Sequence, residues 1–357
     1  MTNILARYIA RTTVLATLLV TLVISAVLFL ILLLGELKDI GEGDYTIVQA
    51  LFYVFLRLPN ELYQFSPMLI LLGGIIGLSI LSSTRELSIM RASGFAVRRI
   101  IMSVLGSAFL LIMAMGLMGE LLAPHLSYKA EIRKEIAQNG GQAVVTSSGV
   151  WFHIDNNFIH VQRVVGRQLL QGVSRYQFDD KHHLEAAYFA KTLAFDEDEW
   201  RMHEVVKTSF YPEKTKSETF ATLPWGLKFN PNLLRVGLVE PSEMSLPKLA
   251  QFAQYLENNG LQARAYQYAF WRRVLQPLAA LVMIFLAIPF VLGAMSVSTL
   301  GLRLLTGVML GFVFFISNAF LGELCIVYQL PPIFAAMTPI IGFALFGLLL
   351  SNRMIRN

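Results

Sequence analysis

The residues with the clearest chemical pattern lie in a short charged segment, SSTRELSIMRASGF at positions 82–95, between two apolar runs. On a helix, Leu87, Met90 and Gly94 follow i, i+3, i+7 spacing and share one face. Glu86 lies one turn before Met90, and Gly94 suits the position that ends a helix. An apolar ridge beside an acid predicts a helix that docks in a groove of another protein. The candidate docking residues are Arg85, Glu86, Leu87, Met90, Arg91 and Gly94.

The alternative for this segment is that its arginines only mark the cytoplasmic side of a membrane protein. That reading accounts for Arg85 and Arg91 but leaves Glu86 unexplained.

A second candidate site is basic. In GELKDIGEGDY, positions 35–45, Lys38 is the only base among four acids. A lysine there predicts contact with a phosphate or an anionic lipid headgroup, and Arg133 and Lys134 are candidates to join it. The alternative for Lys38 is that it lies at the membrane surface and extends its ammonium into water. The alternative for Arg133 and Lys134 is that they lie on a solvated helix face.

Aromatic and methionine side chains in the apolar runs form a third candidate group. Phe65, Met68, Phe312 and Phe315 would line an apolar cavity suited to acyl chains if they face inward. If they do not, they pack in the protein core or face lipid.

No catalytic motif accompanies these groups. The sequence contains no G-x-x-x-x-G-K-[ST] phosphate loop, no H-E-x-x-H and no G-x-S-x-G, so we predict no enzyme activity, no metal site and no cofactor. The long apolar runs contain no ionisable residue, which disfavours transport driven by an ion gradient. Energy for transport would then come from a partner.

The elements that position these residues are predicted to be membrane helices. Of the 357 residues, 55% are hydrophobic and 15% charged, and a helix of about 20 apolar residues crosses a bilayer. Six runs qualify, the second with a possible earlier start at residue 61: 14–34, 65–81, 100–119, 274–302, 304–322 and 333–350.

The distribution of arginines predicts the orientation and a three-part organisation. Arginines before the first run, between the second and third, and after the last put that side in the cytoplasm, with Arg303 in a loop on the same side. Residues 1–123 hold three spans and a coupling helix at about 84–94. Residues 124–262 lie outside the cytoplasm, and residues 263–357 hold three more spans.

The external segment is predicted to be all-β. Residues 150–162 alternate on both sides of a turn at 155–157, which indicates a hairpin, and later pieces continue the pattern as a sandwich or jellyroll. A helix follows from Ser245 or Pro247, with Gly260 as its stop. The positive charge flanks the spans, so no nucleic-acid partner is predicted.

These pieces together resemble the lipopolysaccharide-export permease family, and within it the LptG-type rather than the LptF-type subunit. The resemblance covers essentially the whole chain. It is carried by RELSIMRASGF at 85–95, GELKDIGEGDY at 35–45, FSPMLILLGGIIGL at 65–78, QPLAALVMIFLAIPF at 276–290 and LGLRLLTGVMLGFVFF at 300–315.

The resemblance implies an inner-membrane subunit of an ATP-driven exporter of lipopolysaccharide in Gram-negative bacteria. Implied partners are an LptF-type permease, an LptB-type ATPase dimer, a single-span LptC-type protein and an LptA-type periplasmic bridge. It implies that residues 85–94 couple to the ATPase, that Lys38 contacts a phosphate and that residues 124–262 form a periplasmic jellyroll. A membrane-anchored scaffold for periplasmic partners is the alternative function.

Overall fold

The chain folds into a helical bundle with an inserted β domain. The computed structural model describes residues 2–138, 144–154, 156–165, 169–179, 183–196, 199–211, 214–226, 240–258, 262–294 and 298–356. Within these ranges the α-helices are α1 (Thr2–Glu36), α2 (Ile47–Gln64), α3 (Ser66–Ser83), α4 (Glu86–Ala92), α5 (Val97–Leu117), α6 (Ala123–Gln138), α7 (Leu246–Asn258), α8 (Arg264–Pro289), α9 (Leu300–Val327) and α10 (Pro332–Arg356). The strands are β1 (Val144–Ile154), β2 (Asn157–Val165), β3 (Leu169–Phe178), β4 (Leu184–Asp196), β5 (Glu199–Tyr211) and β6 (Lys214–Pro224).

Six helical segments in the described part of the chain are long and apolar enough to cross a membrane, which confirms the predicted number. They are α1, α3, α5 with its continuation into α6, α8, α9 and α10. Residues Met118–Leu122 form a π-helical turn that joins α5 to α6, so the third span continues beyond the predicted residue 119.

The predicted bounds of the fourth span were wrong. The sequence predicts one helix over the run 274–302, but α8 begins ten residues earlier at Arg264 and passes through Pro289 into a π-helical turn, Phe290–Ala294. The next helix begins at Leu300, with the Thr299 hydroxyl accepting from the Leu302 amide. Arg303 therefore lies in the first turn of α9, not in a loop. An uncharged run gives no signal of where one helix stops and another starts.

The second span does not extend back to residue 61. Glu61 belongs to α2, and α2 and α3 meet at Phe65, where φ is −83° and ψ is 0°. Pro67 at the start of α3 suits the first turn of a helix, where no amide donor is needed. Sequence reading missed α2 as a separate helix because its charges, Arg57 among them, keep it below the apolarity of a span.

Helix α3 is the centre of the bundle. In its most apolar 18-residue window 72% of the residues are buried, against 6% for α1. Glycines make this possible: a Cβ on Gly77 would lie 2.9 Å from the Thr13 backbone, and one on Gly73 2.5 Å from that of Thr17. Small residues at these positions allow the helix backbones to approach closely. A cluster of buried side chains from α3, α5 and α8 forms the core beside it.

The inserted domain is an antiparallel sheet, which confirms the predicted all-β insertion. Its six described strands are hydrogen-bonded in sequential order, β1 to β6, as a meander. The predicted hairpin joins β1 to β2, with Ile154 opposite Asn157, while Asp155 of the predicted turn lies outside the described residues. The predicted following helix is α7. Its expected stop, Gly260, also lies outside the described ranges.

The bundle has two ends. The β-domain end carries the last turn of α1, α6 and the start of α8, since α6 leads into β1 and contacts α2. The α4 end carries α4, the start of α1 and the start of α5, because Leu87 and Met90 of α4 belong to one core cluster with Ile9 of α1 and Ile100 of α5.

Candidate functional site

The predicted basic group lies at the β-domain end, but its three bases have different surroundings. The ammonium Nζ of Lys134 is 2.7 Å from Glu36 Oε2 and 2.7 Å from Asp39 Oδ2. The Tyr45 hydroxyl donates to the same Glu36 oxygen at 2.9 Å. Lys134 also lies over the Tyr53 ring, 4.9 Å from its centroid. Two carboxylates therefore neutralise Lys134 in this conformation.

Lys38 and Arg133 are the bases of this group that remain exposed. Lys38 lies in the 3₁₀ turn Leu37–Asp39 that ends α1, and Arg133 lies on α6. Among the described residues neither has a recorded carboxylate partner. Arg133 and Lys134 line one cavity of about 480 Å³ between α2 and α6, whose walls include Phe52 and Tyr53. Lys38 lies outside that cavity.

The acids around Lys38 therefore have a structural explanation. Glu36 and Asp39 bind a base 95 or more residues later in the chain, and Glu42 accepts a hydrogen bond from Gln138 at 2.8 Å. Together they fasten the end of α1 to α6. The sequence showed the acidic cluster but not its partner.

Three of the four predicted apolar site residues come together between α3 and α9. The rings of Phe65 and Phe315 stack with centroids 4.7 Å apart. Met68 lies so close to Gly311 that a Cβ there would meet its Cγ at 2.6 Å. Phe312 is 54% exposed on another side of α9 and does not join the group. Phe65, Met68 and Phe315 thus pack two spans together, whereas Phe312 belongs to the outer surface.

The charged segment at the α4 end is a short helix, as predicted, but its apolar ridge faces the chain's own core. Leu87 and Met90 are 4% and 7% exposed and belong to the core cluster that contains Ile100 of α5. The prediction that this ridge faces a partner was therefore wrong. In the structure these two side chains pack against the core and hold α4 to its own bundle. Ile89 is 65% exposed and occupies the outer face.

The polar ends of α4 agree better with the prediction. Gly94 has φ of +85°, and the Phe95 amide donates to the Met90 carbonyl at 2.9 Å, so Gly94 does end the helix. Arg85 is exposed and has φ of +58°. Glu86 Oε2 is buried without a hydrogen-bond partner among the described residues. Arg91 lies on α4, and its side chain is outside what the structure describes.

Sequence reading missed a buried ionic junction at the β-domain end. Arg273 of α8 is 6% exposed, and its Nε donates to Glu120 Oε2 at 3.0 Å. Its guanidinium also donates to the Gly119 carbonyl and lies 4.9 Å from the Tyr63 ring centroid. Glu120 accepts a second bond from the Leu246 amide of α7 at 2.8 Å. This junction ties two spans to the segment that returns from the β domain.

A second ionic junction lies beside the first. Arg57 Nη2 is 2.8 Å from Glu243 Oε1, and Arg57 Nη1 donates to the Tyr53 hydroxyl at 2.7 Å. The Tyr53 hydroxyl in turn donates to Glu131 of α6 at 3.0 Å. Burial raises the pKa of Glu243 to about 7, against the opposing effect of Arg57. In the sequence, the members of both junctions appear only as isolated charged residues, with nothing to indicate their partners.

Comparison of the sequence with known proteins assigns the chain to a family. Residues 7–353 match the family described as "Lipopolysaccharide export system permease LptF/LptG". The chain is 32% identical over 354 residues to the lipopolysaccharide export system permease protein LptG of Escherichia coli (strain K12), covering 98% of each chain. It is 30% identical over 345 residues to the protein of the same description from Haemophilus influenzae, covering 96% of each. On this evidence of similarity over nearly its whole length, the chain belongs to the lipopolysaccharide export system permease LptF/LptG family.

Proposed function

We propose that the chain is the LptG-type membrane subunit of an exporter that takes lipopolysaccharide from the inner membrane and passes it to a periplasmic bridge. ATP is hydrolysed by a separate LptB-type dimer. An LptF-type permease, an LptC-type single-span protein and an LptA-type bridge complete the assembly. The β-domain end faces the periplasm and the α4 end the cytoplasm. The family and the names of the relatives support this proposal.

One arrangement of residues carries it. Helix α1 is the least buried of the six candidate spans. The 3₁₀ turn that follows it bears Lys38, an exposed cation, and Arg133 is exposed on α6. A long apolar surface below unpaired cations matches an amphiphile with acyl chains and phosphates. We propose that α1 forms one wall of a chamber that the LptF-type subunit completes, with Phe312 on the exposed side of α9 at its edge.

The docking of the ATPase is proposed on the outer face of α4. Leu87 and Met90 connect α4 to the bundle, while Ile89 and Arg85 are exposed and can meet a partner. Movement of a docked partner then reaches α3 and α5 through the buried side chains of the same helix.

Reconstitution tests the proposal directly. The chain, co-purified with its LptF-type and LptB-type partners in liposomes, should release lipopolysaccharide to an acceptor only when ATP is supplied. A stable assembly without nucleotide-dependent release supports the alternative, a membrane-anchored scaffold. Release that follows an ion gradient without ATP contradicts both readings.

A further inference from the structure

A cavity of about 300 Å³ lies at the β-domain end, apart from the cavity that Arg133 lines. One face of α8 forms its floor, with residues at helical spacing: Ala265, Tyr268, Ala269, Arg272, Arg273 and Gln276. The end of α2 and the turn Pro241–Glu243 form other walls. Two alanines on the floor leave the space open. The volume is at the lower end of the range for small-ligand sites.

Most polar groups that line the cavity are already bonded within the chain. The Tyr268 hydroxyl donates to the Asn318 carbonyl at 2.6 Å, and the Tyr63 hydroxyl donates to the Arg273 carbonyl at 3.4 Å. The Gln276 amide donates to the Tyr63 carbonyl at 2.9 Å. Arg273 is held by Glu120.

Arg272 is the exception. It is half-buried, and among the described residues no carboxylate is recorded within ion-pair distance of its guanidinium. Glu61 is near enough for the charge of Arg272 to act on its carboxylate. However, Glu61 Oε1 already lies 3.6 Å from Arg57 Nε. The acid on the cavity wall, Glu240, has a side chain 71% exposed, and its carboxylate lies 4.0 Å from Arg57. A guanidinium in a largely apolar cavity, with no ion-pair partner among the described residues, favours an anion that offers it two oxygens, as a carboxylate or a phosphate does.

The position of Arg272 along α8 fits the headgroup level of a bilayer. The candidate span Arg264–Gly293 has 30 residues, a length of roughly 45 Å, whereas the hydrocarbon core is about 30 Å thick. Residues 274–302 carry no charge, so the apolar part begins just after Arg273. Arg272 also lines a small cleft with Phe65 and Phe315, which gives apolar surface on its membrane side.

We infer that this cavity holds the phosphodiester of an anionic phospholipid, with Arg272 as its cation and the acyl chains along the apolar surface beside α8 and α9. One arginine balances one phosphodiester, so the site fits a singly charged glycerophospholipid such as phosphatidylglycerol. The site is distinct from the exposed bases proposed to meet the transported lipid, and it does not rest on the transport activity.

Native mass spectrometry of the purified complex tests this inference, with phosphatidylglycerol or zwitterionic phosphatidylcholine added at equal concentrations. We expect one phosphatidylglycerol to bind in preference to phosphatidylcholine, and Arg272→Gln to weaken that binding at least about tenfold. Arg264→Gln, on the same helix but not among the residues that line the cavity, is the matched control and should bind as the unaltered protein does.

Ala269→Leu supplies a second, uncharged test in case Arg272→Gln does not fold. It fills the floor of the cavity and should also remove the bound phospholipid, with thermal unfolding used to confirm that the variant is folded. Equal binding by both cavity variants and the unaltered protein overturns the inference. Displacement of the phospholipid by added lipopolysaccharide, one for one, also overturns it, because the cavity would then belong to the substrate path.

Discussion

The two ends of the bundle use their residues in opposite ways. At the β-domain end, charged side chains join the elements: Lys134 fastens α1 to α6, and Arg273 fastens α8 to the turn after α5. At the α4 end, apolar side chains do this work, since Leu87 and Met90 hold α4 to the core. The comparison shows which residues are available to a partner or ligand: those whose side chains do not hold the helices of this chain together. Among the described residues they include the exposed cations Lys38 and Arg133 at one end and Ile89 and Arg85 at the other.

The strongest way to break this comparison is to remove a charge that joins elements. Arg273→Ala leaves Glu120 and the Gly119 carbonyl without their cation in a buried setting, so we expect a loss of about 3–5 kcal/mol in the free energy of unfolding. Thermal unfolding of the purified protein measures it. Arg264→Ala is the control, because Arg264 lies on the same helix and forms no ion pair with any residue in the described ranges. A loss no larger than that of the control contradicts the assignment of Arg273 as a junction.

At the α4 end the same test separates two apolar residues on one helix. Leu87→Ala should lower the free energy of unfolding by about 2–3 kcal/mol, because it empties a buried site. Ile89→Asp should leave unfolding nearly unchanged but weaken association with the ATPase at least about tenfold. Co-purification measures the association. If Ile89→Asp keeps full association, the outer face of α4 is not the docking face.

At the β-domain end, the same test compares two lysines, Lys134, which is paired, and Lys38, which is exposed. Lys134→Ala leaves Glu36 and Asp39 facing each other without a cation, and should cost about 2 kcal/mol of unfolding free energy. Lys38→Ala should change stability by less than about 0.5 kcal/mol. A photocrosslinking residue at Lys38 should capture lipopolysaccharide. Crosslinks from exposed positions on α1 but none from position 38 would remove Lys38 from the proposed site.

The smallest expected effect is a pH dependence at the second junction. Burial raises the pKa of Glu243 from 4.5 to about 7, so the folded protein holds a proton that the unfolded chain releases between these values. Stability from this group is therefore present below about pH 4.5 and lost as the pH rises to about 7. The melting temperature should therefore fall as the pH rises over this window. Glu243→Gln should make that fall smaller by roughly 2–4 °C. Glu240→Gln, at an exposed neighbour, should not.

Sequence pattern predicted the parts of this fold that depend on composition along the chain. Six apolar runs, the alternating strands and the short helix ended by Gly94 all follow from local physical rules. The limits of α8 and the separation of α2 from α3 did not follow. An uncharged run is equally compatible with one long helix or two, and only packing decides where the chain bends.

The candidate site shows the same division. The sequence could identify Lys38, Arg133 and Lys134 as bases near a membrane boundary, but not that Lys134 has two carboxylate partners. It could identify an amphipathic α4, but not whether Leu87 faces a partner or its own core. Arg272, which forms no ion pair within the part of the chain that the structure describes, and Arg273, which is bonded to Glu120, are adjacent and alike in sequence.

The sequence by itself determined that this chain is a six-span membrane protein with an inserted β domain, because hydropathy and alternation are properties of short segments. Only the tertiary structure decided which charged and apolar side chains contact each other within the molecule. Those pairings join residues as far apart in the chain as Arg57 and Glu243. They exist only once the helices are packed, because an ion pair or a buried contact depends on distances between elements and not on the types of residues alone.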